Sequence, residues 1–296
     1  AGDRPRSRGC CEALRDAVVG WWLPLRAGSG VRCCCCCPLK IPCESGQLVH
    51  AQRHCLYVNV DAEQQPAVEL QRTALPAKTR DAVRVVVVSD THSQHNALGT
   101  LPAGDVFVHC GDILMSGRLW SVAGQVAQMR AFNEWLGCVP CATKVVIAGN
   151  HEQLAPVLGR QKMAALLSNA KYLENEARGV DGLRVFATPL SKGHSSNGAF
   201  QDDAFAAATV AAAELAAAPV DILITHGPSQ GSITSNSTPS QLEPWAGRLK
   251  PRVHLWGHAH ALHGVRIGEG IVSVCASIMD GGYRPEHLPV VVDLTP

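Results

Sequence analysis

The sequence predicts a mixed α/β (α+β) fold for residues 81–296. Three observations carry that expectation. Val83 to Ser89 is a β-branched run, the pattern of a strand buried on both faces. Strand-like runs then alternate with segments of helical period. A strand-rich end follows, and the combination indicates a mixed α/β domain.

The elements follow in order. Asp105 to Cys110 reads as the second strand of this region. Val122, Val126, Met129, Phe132 and Leu136 recur at helical spacing, with Gly137 behind them as a stop. Lys144 to Ala148 is a third strand, Arg160 to Ser168 a helix, and Leu183 to Thr188 a strand. Asp202 and Asp203 open an Ala-rich helix that Pro219 ends. Strands are expected at Asp221 to Thr225, Val253 to Trp256, Gly264 to Ile267, Ile271 to Cys275 and Val290 to Leu294. The longest apolar stretch, Ala204 to Val220, is mostly alanine and contains Glu214, so it reads as a helix in water rather than a membrane span.

The chain has 296 residues, 46% of them hydrophobic and 17% charged, which rules out a wholly disordered polyelectrolyte. A net charge of +1 provides no global basic field for a nucleic-acid polymer or an acidic membrane. The ends differ in make-up. Nine of 13 cysteines fall in the first 55 residues, five of them consecutive from Cys33 to Cys37, which is no disulfide framework. Eleven of 13 histidines lie beyond residue 91. Residues 1–80 carry 11 basic and 7 acidic residues and show no sustained period. They are expected to be a disordered, Cys-rich leader, with Tyr57 to Val60 as a short edge strand. The Arg- and Ser-containing opening loosely suggests organelle targeting, while a fragment or mistranslated leader is the favoured alternative. The four scattered cysteines of residues 81–296 permit a reducing, intracellular setting, and a cytoplasmic location is expected.

Polar residues cluster where strands end: Asp90-Thr91-His92, Gly111-Asp112, Gly149-Asn150-His151-Glu152, Thr225-His226-Gly227 and Gly257-His258-Ala259-His260. In α/β sheets the ligand crevice lies beyond the carboxyl ends of strands. Asp90 and His92 are two apart, as are His258 and His260, so on an extended strand each pair points to one side. Gly111 lets the backbone turn tightly beside a ligand, and the two oxygens of Asp112 suit it to bridge two ions. Asn150 adds a neutral oxygen and His226 an imidazole. Nitrogen and oxygen donors without thiolate suit Mn²⁺, Fe or Zn²⁺ rather than Ca²⁺, with Mg²⁺ less favoured.

These five blocks, in this order, resemble the calcineurin-like metallophosphoesterases, whose pattern is D-x-H, G-D, G-N-H-[DE], H and G-H-x-H. The finer wording at 89–93, 109–112, 132–137, 146–152, 221–228 and 276–277 resembles the small metallophosphoesterase-domain proteins. The resemblance implies a four-layer αββα sandwich, two mixed sheets flanked by helices. It implies one metal held by Asp90, His92, Asp112 and His260 and a second held by Asp112, Asn150, His226 and His258. His151 is then a catalytic side chain that, with Asn150, also contacts substrate. Two such metals share a water, lower its pKa and yield the hydroxide that attacks phosphorus. The resemblance thus implies a phosphodiesterase acting on small esters such as cyclic or other nucleotides. Cys275 stands where relatives often have asparagine. Glu152 is a candidate to orient His151 or a ligand.

Other readings compete. Ser/Thr protein phosphatases resemble G-D-x-x-D-R-G at the second block, whereas this chain reads Gly111-Asp112-Ile113-Leu114-Met115-Ser116-Gly117. A phosphoesterase fold retained as a binding module usually loses ligands or the catalytic histidine, and none is lost here. His109 is expected to be a satisfied core histidine and His254 a strand face. His95, His194 and His263 lie near the site loops as possible substrate contacts. Asn197-Gly198 and Arg118 are candidates to bind a phosphate or base, with surface roles favoured. His50, His54 and His287 carry no expected role. Cys138-Val139-Pro140-Cys141 follows a helix and precedes a strand, so a plain loop is expected rather than a redox or zinc site.

Overall fold

The computed structural model describes residues 53–296 except 63–65, 116–120, 192–194, 196, 230–241 and 269. His50, Arg118 and His194 lie outside the described residues. In chain order the strands are β1 (His54–Asn59), β2 (Val68–Gln71), β3 (Val83–Val88), β4 (Gly104–His109), β5 (Cys141–Val146), β6 (Lys171–Tyr172), β7 (Glu176–Val180), β8 (Leu183–Thr188), β9 (Ile222–Thr225), β10 (Val253–Trp256), β11 (Gly264–Gly268), β12 (Ile271–Cys275) and β13 (Val290–Leu294). The helices are α1 (Val122–Cys138), α2 (Ala155–Leu158), α3 (Arg160–Leu166), α4 (Asp203–Leu215) and α5 (Pro244–Arg248).

Two sheets form. The first has the order β2-β1-β13-β3-β4-β5-β6, and the second β11-β12-β10-β9-β8-β7. Strands β3, β4, β5 and β6 run parallel, as do β8, β9, β10 and β12, while β13 is antiparallel to β3. In the second sheet β7 is antiparallel to β8 and β11 to β12, so both sheets are mixed.

Burial explains the layering. Val85 and Val87 of β3 pack with Val106, Val108, Val185, Ile222, Ile224 and Leu255 in the layer between the sheets. Val86 and Val88 point the other way, against Phe107, Met129, Phe132, Leu136 and Met163 under α1 and α3. The β-branched run is thus buried on both faces, as its composition predicts. A third cluster joins Phe186 and Leu223 of the second sheet to Ala213 of α4 and to Trp245 and Ala246 of α5. The result is the four layers α, β, β, α.

Local signals set the helix ends. The Ser121 hydroxyl accepts from Gly124 N–H at 3.1 Å and caps α1. That helix runs through Gly137 and stops at Val139, whose extended backbone is the conformation the following Pro140 imposes. The Asp202 carboxylate caps α4 by accepting from Phe205 N–H at 2.8 Å. The helix ends at Leu215, short of Pro219.

The first sheet reaches N-terminal of residue 81. β1 pairs in parallel with β13 and antiparallel with β2, so Tyr57 to Asn59 lie inside the sheet and β2 forms its edge. Cys55 and Val58 are buried in the two cores on either side of that sheet. The expected boundary at residue 81 therefore does not bound the sheet. Period-2 alternation is weak in β1, and its partner lies more than 230 residues away in sequence. Among the described residues, no helix is long and apolar enough to cross a membrane.

Candidate metal centre

The five polar blocks meet on one rim. β3, β4 and β5 end in the Asp90, Asp112 and Asn150 turns, and β9 and β10 of the other sheet end in His226 and the His258 turn. Hydrogen bonds join the two sheets there. His258 N–H donates to both Asp90 carboxylate oxygens at 3.0 Å, and Ser89 N–H donates to Ala276 O at 2.8 Å.

The route differs from the strand alternation expected of Asp-x-His. β3 stops at Val88, and Asp90 and His92 have φ of 56° and 42°; Asp112 and His258 are left-handed too, at 54° and 66°. Such backbone costs of order 1–3 kcal/mol per residue and persists only where its surroundings over-determine it. Here the turns aim the side chains, not a pleat. Gly111 adopts φ 96°, and a Cβ there would sit 2.7 Å from His226 Nδ1. At Gly257 a Cβ would collide with the Asp90 carboxylate, so only glycine permits the close approach of the two sheets.

Asp90, His92 and His260 offer donor atoms within 4.8 Å of one another, and Asp112, His226 and His258 form a second such group. In the first, His92 Nδ1 donates to Leu114 O at 3.0 Å and His260 Nδ1 to Asp280 O at 3.2 Å. These bonds turn both Nε2 atoms inward, 3.3 Å apart, with His260 Nε2 3.5 Å from Asp90 Oδ1. In the second, His226 Nδ1 donates to Cys110 O at 2.8 Å. Its Nε2 then faces Asn150 Oδ1 at 2.9 Å and Asp112 Oδ1 at 3.2 Å. Asn150 Nδ2 donates to Ser195 Oγ and Asn197 O, both at 3.1 Å, which turns Oδ1 inward, where His258 Nδ1 lies 2.9 Å away. Asp112 faces both groups: Oδ1 lies beside His226 and Oδ2 is 3.8 Å from His92 Nε2.

The donor chemistry fits metal ions. His92 and His260 direct Nε2 lone pairs at each other, and His226 Nε2 points at two oxygen acceptors. Such contacts are favourable only with a shared proton or a cation between them. A backbone carbonyl on the second nitrogen of a histidine is the usual support of a metal-binding imidazole. Without a metal, protons do this work. Burial works against a charged His226, but the Asp112 carboxylate outweighs it and raises His226 to about 9. Burial likewise lowers His260, yet the bond to Asp90 raises it above its ordinary value. Burial would raise the Asp112 carboxyl, but the charges of His226, His92 and His151 hold it well below the carboxylate range. Burial drives His258 down to about 4.

His151 forms a third such group with His92 and Asp112. Its ring lies 4.5 Å from that of His92, and Nε2 is 3.9 Å from Asp112 Oδ2. Asn197 Nδ2 donates to that same Nε2 at 3.0 Å. Glu152 does not face His151. Its carboxylate accepts from the backbone N–H groups of Asp112 (3.0 Å), Gly149 (2.6 Å) and Leu114 (2.9 Å), and so fastens the Asp112 turn to its own. Burial and the nearby Asp112 charge raise it to about 8.

The remaining candidates separate from the site. His95 is buried against Phe132 and Trp135. His263 stacks on His287 at 4.6 Å. His254 is buried in β10, bonded to Thr225 Oγ1 at 2.8 Å. Cys275 is buried, its thiol 3.6 Å from Ala259 O. Cys138 and Cys141 are free thiols at the end of α1 and the start of β5. Tyr283, like Ser195, escaped sequence reasoning. The Tyr283 ring lies 4.9 Å from the rings of both His92 and His260. Its signal was the turn-forming Asp280-Gly281-Gly282 that precedes it.

Comparison with known proteins agrees with this geometry. The family description "Calcineurin-like phosphoesterase" matches residues 83–262. The chain is 31% identical over 240 residues to "Metallophosphoesterase domain-containing protein 1" of Homo sapiens, covering 71% of each. It is 30% identical over 237 residues to a UPF0046 protein of Caenorhabditis elegans, covering 72% of this chain and 81% of the relative. A solved structure from Thermus thermophilus is similar with a TM-score of 0.43 at 12% identity, over 66% of this chain and 88% of that one. With family match, relatives and clustered donors in accord, the chain belongs to the calcineurin-like phosphoesterases, hydrolases of phosphoric esters that typically hold two metal ions.

Proposed function

We propose that the protein is a phosphodiesterase that hydrolyses small phosphate esters, cyclic or other nucleotides among them, with two transition-metal ions of the Mn, Fe or Zn kind. The observation that supports this reading is the sharing of Asp112 between two donor groups, one oxygen toward each. Asp90, His92, Asp112 and His260 would hold one ion, and Asp112, Asn150, His226 and His258 the other. Bound there, the pair would polarise the phosphoryl oxygens and make a water nucleophilic near neutral pH.

The chain's own residues do the rest. The bonds to Leu114, Cys110 and Asp280 carbonyls fix which nitrogen each imidazole offers. Glu152 holds the Asp112 turn in register. His151 hydrogen-bonds the phosphoryl group and delivers a proton to the departing oxygen. That role requires Asn197 to give up its bond to Nε2, or His151 to present its other nitrogen.

The test uses the full chain, because β1 lies within the first sheet. The protein is stripped of metal and resupplied with Mn²⁺, Fe²⁺, Zn²⁺ or Mg²⁺. Turnover of bis-(p-nitrophenyl) phosphate is compared with that of the monoester and of a cyclic-nucleotide panel. Metal-restored hydrolysis of the diester ahead of the monoester is expected. Failure of every metal to restore turnover of any ester removes the reading. His151→Ala keeps both metals and slows turnover about 10²–10⁴-fold; loss of metal would instead make His151 a ligand.

A further inference from the structure

Tyr283 has a backbone that few residues of its size adopt, and a dense set of bonds imposes it. Its φ is 58°, a costly left-handed value for a bulky side chain. Asp280 builds the turn. Its Oδ1 accepts from Gly282 N–H at 2.8 Å and Arg284 N–H at 2.9 Å, and its Oδ2 from Arg284 Nε at 2.8 Å. Tyr283 N–H donates to Asp280 O at 3.1 Å, and Gln94 Nε2 donates to Tyr283 O at 3.0 Å. The same Asp280 carbonyl accepts from His260, so the turn is locked to the metal centre it borders.

The bonds hold the ring at the mouth of the site. It stands edge-on to His92 and His260 at 4.9 Å, with interplanar angles of 62° and 78°, and lies 6.5 Å from His151. Yet it stays 40% exposed, in contrast to the buried Asp90, His92, Asp112 and His151 beside it. A side chain that only sealed the ligands would be covered. This one is partly open to solvent while its ring borders those of His92, His151 and His260. Strained backbone of this kind collects at ligand clamps.

We propose that Tyr283 is a wall of the subsite for the ester group of the substrate and selects planar aromatic groups attached at the phosphoryl oxygen. The proposal rests on the phosphoesterase reading of the adjoining site. Ring-on-ring contact favours an aryl group over a saturated ring of similar size, and its reach is limited to groups bonded close to phosphorus.

Full-length protein loaded with Mn²⁺ is titrated by calorimetry with phenyl phosphate, cyclohexyl phosphate and inorganic phosphate. The two esters carry the same charge and similar bulk and differ in planarity. The phenyl ester should bind about fivefold tighter than the cyclohexyl ester. Tyr283→Phe and Tyr283→Trp should keep that ratio. Tyr283→Leu should bring it to about one, with bound manganese and phosphate affinity unchanged; Tyr283→Met is a second ringless variant if the first folds poorly. Equal binding of the two esters by the wild type, or a preference that survives without the ring, overturns the proposal. The two readings fail separately. A ring-dependent preference in a protein that hydrolyses no ester with any metal removes the phosphodiesterase and keeps Tyr283. Hydrolysis without a ring-dependent preference does the reverse.

Discussion

Thr91 and His109 meet side chain to side chain at 3.0 Å beneath the metal centre. Gly111 N–H donates to His109 Nδ1 at 3.2 Å, which leaves the proton on Nε2 to be donated to the Thr91 hydroxyl. Thr91 lies between Asp90 and His92, and Gly111 precedes Asp112. One buried imidazole thus ties together the turns that carry three of the candidate ligands. Burial pushes it down to about 3, so it stays neutral and keeps this tautomer. His109→Leu breaks both bonds and leaves a buried N–H unsatisfied, at about 1–3 kcal/mol of stability. Metal dissociation constants, measured against a competing chelator, should rise about tenfold or more. His109→Gln retains a donor toward Thr91 and should recover part of that loss. Unchanged metal affinity in the leucine variant, whatever its melting temperature, would show that the link does not position the ligands.

Asp112 and His258 should differ in what their loss removes. Asp112 turns one oxygen toward His92 and the other toward His226, whereas His258 belongs to one group. Elemental analysis after dialysis should find Asp112→Asn with fewer than one metal per chain and His258→Ala with about one. Equal stoichiometries would refute the shared role of Asp112.

Metal uptake should release protons. In the metal-free protein His226 is raised to about 9 by Asp112, against the opposing effect of burial, and is charged at pH 7. A metal ion must displace that proton. Apparent affinity should therefore climb about tenfold per pH unit for this one proton until pH approaches 9, then level off. The linkage to folding has the opposite slope. The stabilisation of the metal-free protein from charged His226 is complete below the ordinary value of 6.5 and is lost as pH rises through about 9. Chelator competition and thermal melts across pH 6–10 check the two slopes together, and a flat affinity profile would contradict the assignment.

Asn197 donates to Nε2 of His151, the residue assigned the proton transfer. Burial holds that imidazole below its ordinary value. Asn197→Asp places an anion at the same position, which favours the charged ring and raises its pKa by about 1–3 units. The alkaline limb of the kcat/KM profile should move up with it, while bound metal stays the same. A limb that does not move would mean that His151 is not the acid.

The candidate ligands are legible because each block is local. Asp90-x-His92, Gly111-Asp112, Gly149-Asn150-His151 and Gly257-His258-x-His260 each follow an apolar strand whose composition announces it. Spacing explains two of them incompletely. Asp90 and His92 converge through left-handed turns rather than strand alternation, and periodicity holds no record of a φ of 56° or 42°. β1 is only half visible at Tyr57 to Val60, because pairing with β13 depends on a partner far along the chain.

The sequence by itself determined the α/β class, the strands that bear the polar blocks and the residue types of the candidate ligands, since composition and near-neighbour spacing encode these directly. Only the tertiary structure decided which nitrogen each histidine offers, because a carbonyl from a distant strand end or loop fixes it: Leu114 for His92, Cys110 for His226, Asp280 for His260. It also decided that Glu152 serves Asp112 rather than His151, and that Tyr283 stands at the mouth of the site. These are contacts between segments separated by tens to hundreds of residues. They arise when strand ends meet at one rim, some within one sheet, as Leu114 with His92, and some across the two, as Cys110 with His226, and no local pattern anticipates them.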